Sequence, residues 1–152
     1  MFYRLDSFFV RTLYRLSLPF LRLSLGGVFL WFGILKVIGA SPVFDMVTGM
    51  FPLTPPWFQA ALVSPERFFL VLGVWEIAVG VGLIVNRFLR ITLLLLWIQM
   101  AATFAALYLA PELFFADGSF FHLTFAGEFV VKNIVLVAAG VAIGGLGIRW
   151  KE

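Results

Sequence analysis

Four ionisable side chains stand inside apolar stretches of this sequence: Lys36, Glu76, Glu128 and Lys132. Glu128 and Lys132 open the run 127–148 one helical turn apart, at i and i+4, with Asn133 beside them, and no further charge follows before Arg149. Glu76 lies between Gly73 and Gly80 in another apolar run, and Lys36 lies near the end of a third. A lone carboxylate at mid-membrane costs about 2.5–3.5 kcal/mol even on the mild insertion scale, so Glu76 must be protonated or paired. Lysine has a stem long enough to snorkel to the interface, which leaves Lys36 two readings, an interface anchor or an inward partner.

Read together, Lys36, Glu76, Glu128, Lys132 and Asn133 form a candidate buried polar cluster able to bind a small anion, a quinone head group or a proton. The structural alternative is a set of paired charges that fix helix register and do no chemistry. Arg22, which shares a helical face with Lys36, is a secondary candidate. So are Gln99, in an otherwise uncharged run, and His122, an interfacial residue for which a ligand or proton role is the alternative. No residue is assigned a catalytic role.

The composition narrows the class. Of 152 residues, 62% are hydrophobic and 12% charged, against about 25% charged in a soluble domain. Runs of roughly twenty apolar residues recur, which is the length of a membrane-spanning helix. The expectation is an all-α fold: an integral membrane four-helix bundle in a single domain. The net charge of +3 does not point to nucleic acid, because the basic residues sit at helix ends. The absence of cysteine excludes thiol redox chemistry, disulfides and iron–sulfur ligation, and a single histidine leaves little for a metal or haem site. Met46 and Met50 have no histidine or cysteine near them in sequence, so no metal site is assigned.

The elements follow in order. Arg4, Arg11 and Arg15 share one face of residues 1–18 with Ser7, while Leu5, Phe8, Phe9, Leu13 and Leu16 populate the rest. That pattern predicts a short amphipathic helix on an anionic cytoplasmic leaflet, with Pro19 bending the chain into span one. The spans are expected at about 19–38, 66–85, 91–110 and 127–148. Span one resembles a signal peptide but is too long, and Gly39-Ala40-Ser41 is a poor cleavage signal. Gly26, Gly33, Gly73, Gly80, Gly140 and Gly144 are the expected helix-packing positions.

The connection 39–65 holds Pro42, Pro52, Pro55, Pro56 and Pro65. It therefore reads as an interfacial or re-entrant segment with a short helix begun by Thr54-Pro55-Pro56. Ser64-Pro65 is a helix start, and Asp117-Gly118 marks a turn in a short outer hairpin or loop.

Orientation comes from charge. Arg4, Arg11, Arg15, Arg22, Arg87, Arg90, Arg149 and Lys151 fall on one side and Arg67 alone on the other, which predicts cytoplasmic N- and C-termini. Glu76 stands ten residues after Glu66, roughly 15 Å below the outer surface at 1.5 Å per residue. Lys36 and Lys132 are then at similar depth above it, which predicts one shared site between spans one, two and four.

Leu21-Arg22-Leu23-Ser24-Leu25-Gly26, then Phe32-Gly33-Ile34-Leu35-Lys36, Gly73-Val74-Trp75-Glu76 with Gly80, and Lys132-Asn133 in the last helix resemble the DoxX/DoxD family. They are also similar to related bacterial membrane proteins linked to reactive-chlorine resistance. The similarity runs from Leu21 to Ile148, and each motif is a glycine or charge in an apolar helix, so it is their joint order that carries it. The resemblance implies a small four-helix inner-membrane bundle. Some members of the family are subunits of thiosulfate:quinone oxidoreductase, others associate with sulfur-transfer or oxidative-stress proteins, and many have no assigned activity. Its positions here are Arg22, Gly33, Lys36, Glu76 and Lys132. The chain departs from the pattern in its shorter outer connections and its lack of cysteine, which argues against thiol-based roles.

The expected function is therefore a multi-pass inner-membrane subunit or anchor of a redox complex. It would hold no intrinsic cofactor, with a bound quinone as the one candidate ligand of that kind. Its partners would be the lipid bilayer and other membrane or redox proteins, or a second copy of the chain. The alternatives are an assembly protein with purely structural ion pairs and a small-anion or proton-coupled carrier, the latter disfavoured by the lack of a clear inverted repeat.

Overall fold

Six of the seven prolines lie between helices or in a first turn, where a missing N–H leaves no helical carbonyl without its donor. They divide the chain into four long helices and a set of short ones. The computed structural model describes residues 2–148, with side chains from residue 9 onward. The expected contributions of Arg4, Leu5, Ser7 and Phe8, and of Arg149 and Lys151, lie outside the described residues.

The first helix, α1, spans Phe2–Val37 and keeps Pro19 inside it. The boundary expected at Pro19 is therefore not a helix end, and residues 2–18 continue span one. A helix of 36 residues is about 54 Å long at 1.5 Å per residue, well beyond the roughly 30 Å of a hydrocarbon core. Its membrane-length portion is Phe9–Val37. Proline is tolerated in such helices because neighbouring groups and small local adjustments satisfy the freed carbonyl.

The connection that follows is punctuated as its prolines dictate: α2 (Phe44–Gly49), a 3₁₀ turn at Phe51–Leu53 and α3 (Pro56–Leu62). The Gln59 amide ties it together, donating to the carbonyls of Pro52 at 3.1 Å and Thr54 at 2.6 Å. Helix α4 (Pro65–Val85) starts at Ser64, whose hydroxyl accepts from the Arg67 amide at 3.4 Å. Asn86 and Phe88, both at positive φ, turn the chain directly into α5 (Leu89–Leu109).

On the far side come α6 (Pro111–Phe114), a 3₁₀ turn at Ala116–Gly118 and a single antiparallel bridge between Phe115 and Leu123. Among the described residues that bridge is the whole of the β structure. Thr124 caps α7 (Phe125–Val131) by accepting from the Gly127 amide at 3.1 Å, and it donates to the Leu113 carbonyl at 2.7 Å. The last span is not one helix. It breaks at Lys132-Asn133 into α7 and α8 (Ile134–Gly147), where Asn133 and Val135 bond three residues back rather than four.

Four stretches are long and apolar enough to cross a membrane: Phe9–Val37, Pro65–Val85, Leu89–Leu109 and Phe125–Gly147. Their helices close a ring in which α1 packs on α4, α4 on α5, α5 on α8 and α8 on α1.

The α1–α4 contact is the closest, and glycines make it so. A Cβ on Gly26 would sit 2.9 Å from the Gly80 carbonyl oxygen, and one on Gly33 would sit 2.7 Å from that of Gly73. The pairing 26 with 80 and 33 with 73 shows that the two helices run antiparallel. The α5–α8 contact is built differently, with Leu96 and Leu93 side chains against Gly140 and Gly144 at 3.2 and 3.3 Å from an added Cβ.

One apolar cluster fills the half of the bundle near the α4–α5 turn, around Leu25, Phe29, Val79, Leu83, Leu96 and Ile143. A second fills the other half, around Ala106, Ala110, Phe114 and Val130.

Candidate functional site

A lysine near the end of one helix and a glutamate on its antiparallel neighbour lean toward each other, because every Cα–Cβ bond tilts toward its own helix N-terminus. Lys36 on α1 and Glu76 on α4 are such a pair. Lys36 Nζ donates to Glu76 Oε2 at 2.6 Å, and both residues are 7% exposed. The second carboxylate oxygen is also taken: Gln99 Nε2, on α5, donates to Glu76 Oε1 at 2.9 Å. The ammonium also faces the Phe32 ring, 5.9 Å from its centroid. A buried carboxylate with a cation on one oxygen and an amide on the other meets the pairing requirement that its position imposes.

The cluster expected from sequence is thus divided. Glu128 and Lys132 bond to each other at 3.1 Å, with side chains 56% and 74% exposed for the acid and the base, and neither reaches Glu76. The reason is local. Gln99 occupies the carboxylate oxygen that a second lysine would have used, and Lys132 caps α7 at the break in the span, one turn from Glu128.

Lys132 and Asn133 nevertheless line the same cavity as Lys36, Glu76 and Gln99, a space of about 320 Å³ enclosed by Phe29, Phe32, Met100 and Phe129. Glu128 is not in that wall. Arg22 lies fourteen residues before Lys36 on α1, about 21 Å away along the axis. It is half-buried, and its Nε has no hydrogen-bond partner among the described residues. His122 is exposed in the α6–α7 connection, 4.0 Å from Asp117 and away from the cavity.

A larger cavity of about 570 Å³ adjoins the first and is almost wholly apolar, with Trp57, Phe58, Phe68 and Trp75 in its wall. Met46, Val47, Leu72, Gln99, Thr103 and Val130 line both, so the two spaces meet along this stretch of wall, the neck. Sequence reasoning did not single out Thr103, which donates its hydroxyl hydrogen to the Gln99 backbone carbonyl at 2.9 Å. Its signal was present: Thr103 stands four residues after Gln99, one helical turn on. Met46 enters the wall as a flexible apolar side chain. Among the described residues no group of three His, Asp or Glu side chains is arranged to hold a metal.

Fold and site together define a class: an all-helical protein of membrane type whose interior holds a lysine–glutamate–glutamine hydrogen-bond chain at the head of a two-part cavity. No known family, curated protein or solved structure matches the chain.

Proposed function

We propose that the protein binds a membrane-soluble amphiphile, a quinone or its quinol, and serves as the quinone-handling subunit of a redox complex in a bacterial-type inner membrane. The observation that carries this reading is the adjacency of the two cavities. A space with Lys36, Glu76, Gln99, Lys132 and Asn133 in its wall lies against a larger apolar space along the neck. A compact head and a hydrocarbon tail match that division, and a few polar groups at the end of an apolar pocket are the usual means of fixing a ligand's orientation. The basic residues of the α1 arm and the α4–α5 turn support cytoplasmic termini, an orientation in which the smaller cavity faces the outer half of the bilayer. The DoxX/DoxD-like motifs support the same assignment.

The deciding experiment is purification from the native membrane in a lipid-preserving detergent, followed by mass spectrometry of proteins and lipids together. A stoichiometric quinone or an oxidoreductase partner is the expected result. If neither copurifies, and neither added decylubiquinone nor decylubiquinol gives thermal stabilisation, the proposal fails.

A second reading has its own support. The glycine contacts at Gly73 and Gly80 flank Glu76 on the same face of α4, so the Lys36–Glu76 pair is also placed to fix the α1–α4 register. On that reading the chain is an assembly protein and the pair is structural. Recovery of a larger complex with no bound lipid-soluble ligand would favour it.

A further inference from the structure

The neck between the two cavities holds two side-chain acceptors, Gln99 Oε1 and Thr103 Oγ1. Gln99 donates through Nε2 to Glu76, and the assignment of nitrogen and oxygen follows from the partner, since an ionised carboxylate only accepts. The Gln99 Oε1 that remains is buried with no hydrogen-bond partner, on a residue 8% exposed. The Thr103 hydroxyl has spent its one hydrogen on the Gln99 carbonyl, so it too presents only lone pairs to a ligand. Lys36 lines the smaller cavity beside them, and its ammonium uses one of three hydrogens on Glu76. An orphaned amide oxygen in a membrane interior is expensive, because no bulk water is present to satisfy it.

Resting on the reading of these cavities as an amphiphile site, we infer that the ligand's head group carries a hydroxyl hydrogen that it donates to Gln99 Oε1 or Thr103 Oγ1 while its oxygen accepts from Lys36. A phenol, a quinol or a long-chain alcohol does both at one atom. A quinone carbonyl or an ether oxygen accepts only, and it leaves the neck unsatisfied. Of the two forms of a quinone couple, the site holds the reduced one.

The test uses ligand pairs that differ in this hydrogen. Purified full-length protein is titrated with 4-dodecylphenol and 4-dodecylanisole, and under anaerobic conditions with decylubiquinol and decylubiquinone, with ligand-induced thermal stabilisation as the readout. The hydroxyl-bearing member of each pair is expected to bind at least tenfold tighter, and whichever of Gln99→Met and Thr103→Val removes the acceptor in use is expected to bring the ratio below about threefold. The wild-type comparison needs no variant, so it stands even where Gln99→Met fails to fold. Equal affinities within both pairs overturn the donor requirement and leave the amphiphile site intact. Absence of stabilisation by all four compounds overturns the amphiphile site and the donor requirement with it.

Discussion

The stem of Lys36 crosses α4 at Gly73, three residues before the carboxylate it bonds: a Cβ added to Gly73 would sit 2.9 Å from the Lys36 Cβ and 3.1 Å from the Gly33 carbonyl oxygen. The glycine that lets two helix backbones meet is thus the one that lets the lysine reach inward. Packing and electrostatics are joined at that point, so a methyl group there is felt at the ion pair.

Alanine substitutions should rank accordingly. Gly80→Ala drives its Cβ to 2.6 Å from the Leu30 amide nitrogen and 2.7 Å from the Gly26 carbonyl oxygen, and backbone cannot rotate away. It is expected to cost more than Gly73→Ala, each within the roughly 1–3 kcal/mol of overpacking. Gly140→Ala meets only side chains, the end of Leu96 at 3.2 Å and the Trp97 ring at 3.7 Å, and should cost less. Gly27 and Gly145 have open space around them, so alanine there should stabilise by about 0.5–1 kcal/mol through helix propensity. Melting temperatures of the five variants in one detergent give the order. A Gly80→Ala variant as stable as wild type would contradict the close α1–α4 contact.

The Lys36–Glu76–Gln99 chain invites a stepwise removal. Lys36→Met leaves Glu76 buried with an amide alone, and removing one partner of a buried pair costs about 3–5 kcal/mol. Adding Glu76→Leu removes the stranded charge but orphans the Gln99 amide, so the double variant should recover only in part. The triple variant Lys36→Met/Glu76→Leu/Gln99→Leu, with no polar group left to satisfy, should approach wild-type stability while losing the proposed ligand. Unfolding free energies across the series, with lipid analysis of each purified variant, separate a structural pair from a binding site. A triple variant no more stable than the first single one would show that the chain does more than satisfy itself.

Much of this arrangement was legible in the residues themselves. Length, proline placement and apolar runs located three of the four spans and the end of the first to within a few residues, because desolvated backbone leaves a chain few alternatives in lipid, whereas Pro19 wrongly marked the first span's start. The pairing of Glu76 followed from the cost of its charge. What the sequence did not reveal was the choice of partner. Lys36 and Lys132 were both within reach by depth and Gln99 was only a secondary candidate, and the azimuth of each helix decides which of them meets the carboxylate. The break at Lys132-Asn133 was equally hidden, since neither residue is a helix breaker of the strength of proline or glycine. Thr103 in the neck was hidden too, its helical turn from Gln99 being its only mark.

The exposed pair of the last span should therefore behave unlike the buried one. Glu128 and Lys132 are an i,i+4 pair with 56% and 74% of their side chains accessible, and such pairs contribute about 0.3–0.5 kcal/mol. Glu128→Gln and Lys132→Met are expected to leave the melting temperature within about 2 °C of wild type, whereas Lys36→Met lowers it several-fold more. Lys132→Met also removes a cationic wall residue from the smaller cavity, so ligand affinity should fall even where stability does not. A large stability loss in Glu128→Gln would mean that the acid has a partner beyond Lys132.

Orientation is open to a direct measurement because the chain contains no native cysteine. Phe121, in the α6–α7 connection, is 94% exposed, and Tyr14, on the arm of α1, is 82% exposed. The two positions lie at opposite ends of the ring, since α1 ends beside the segment where α4 begins, and α5 and α7 meet at that same end. A membrane-impermeant maleimide applied to intact cells should label Phe121→Cys, and should label Tyr14→Cys only after the membrane is opened. That result puts Arg11, Arg15, Arg87 and Arg90 in the cytoplasm and places the Lys36–Glu76 cavity in the outer half of the bilayer. The reverse pattern would move the cavity to the cytoplasmic half, and a ligand would then enter from the inner leaflet.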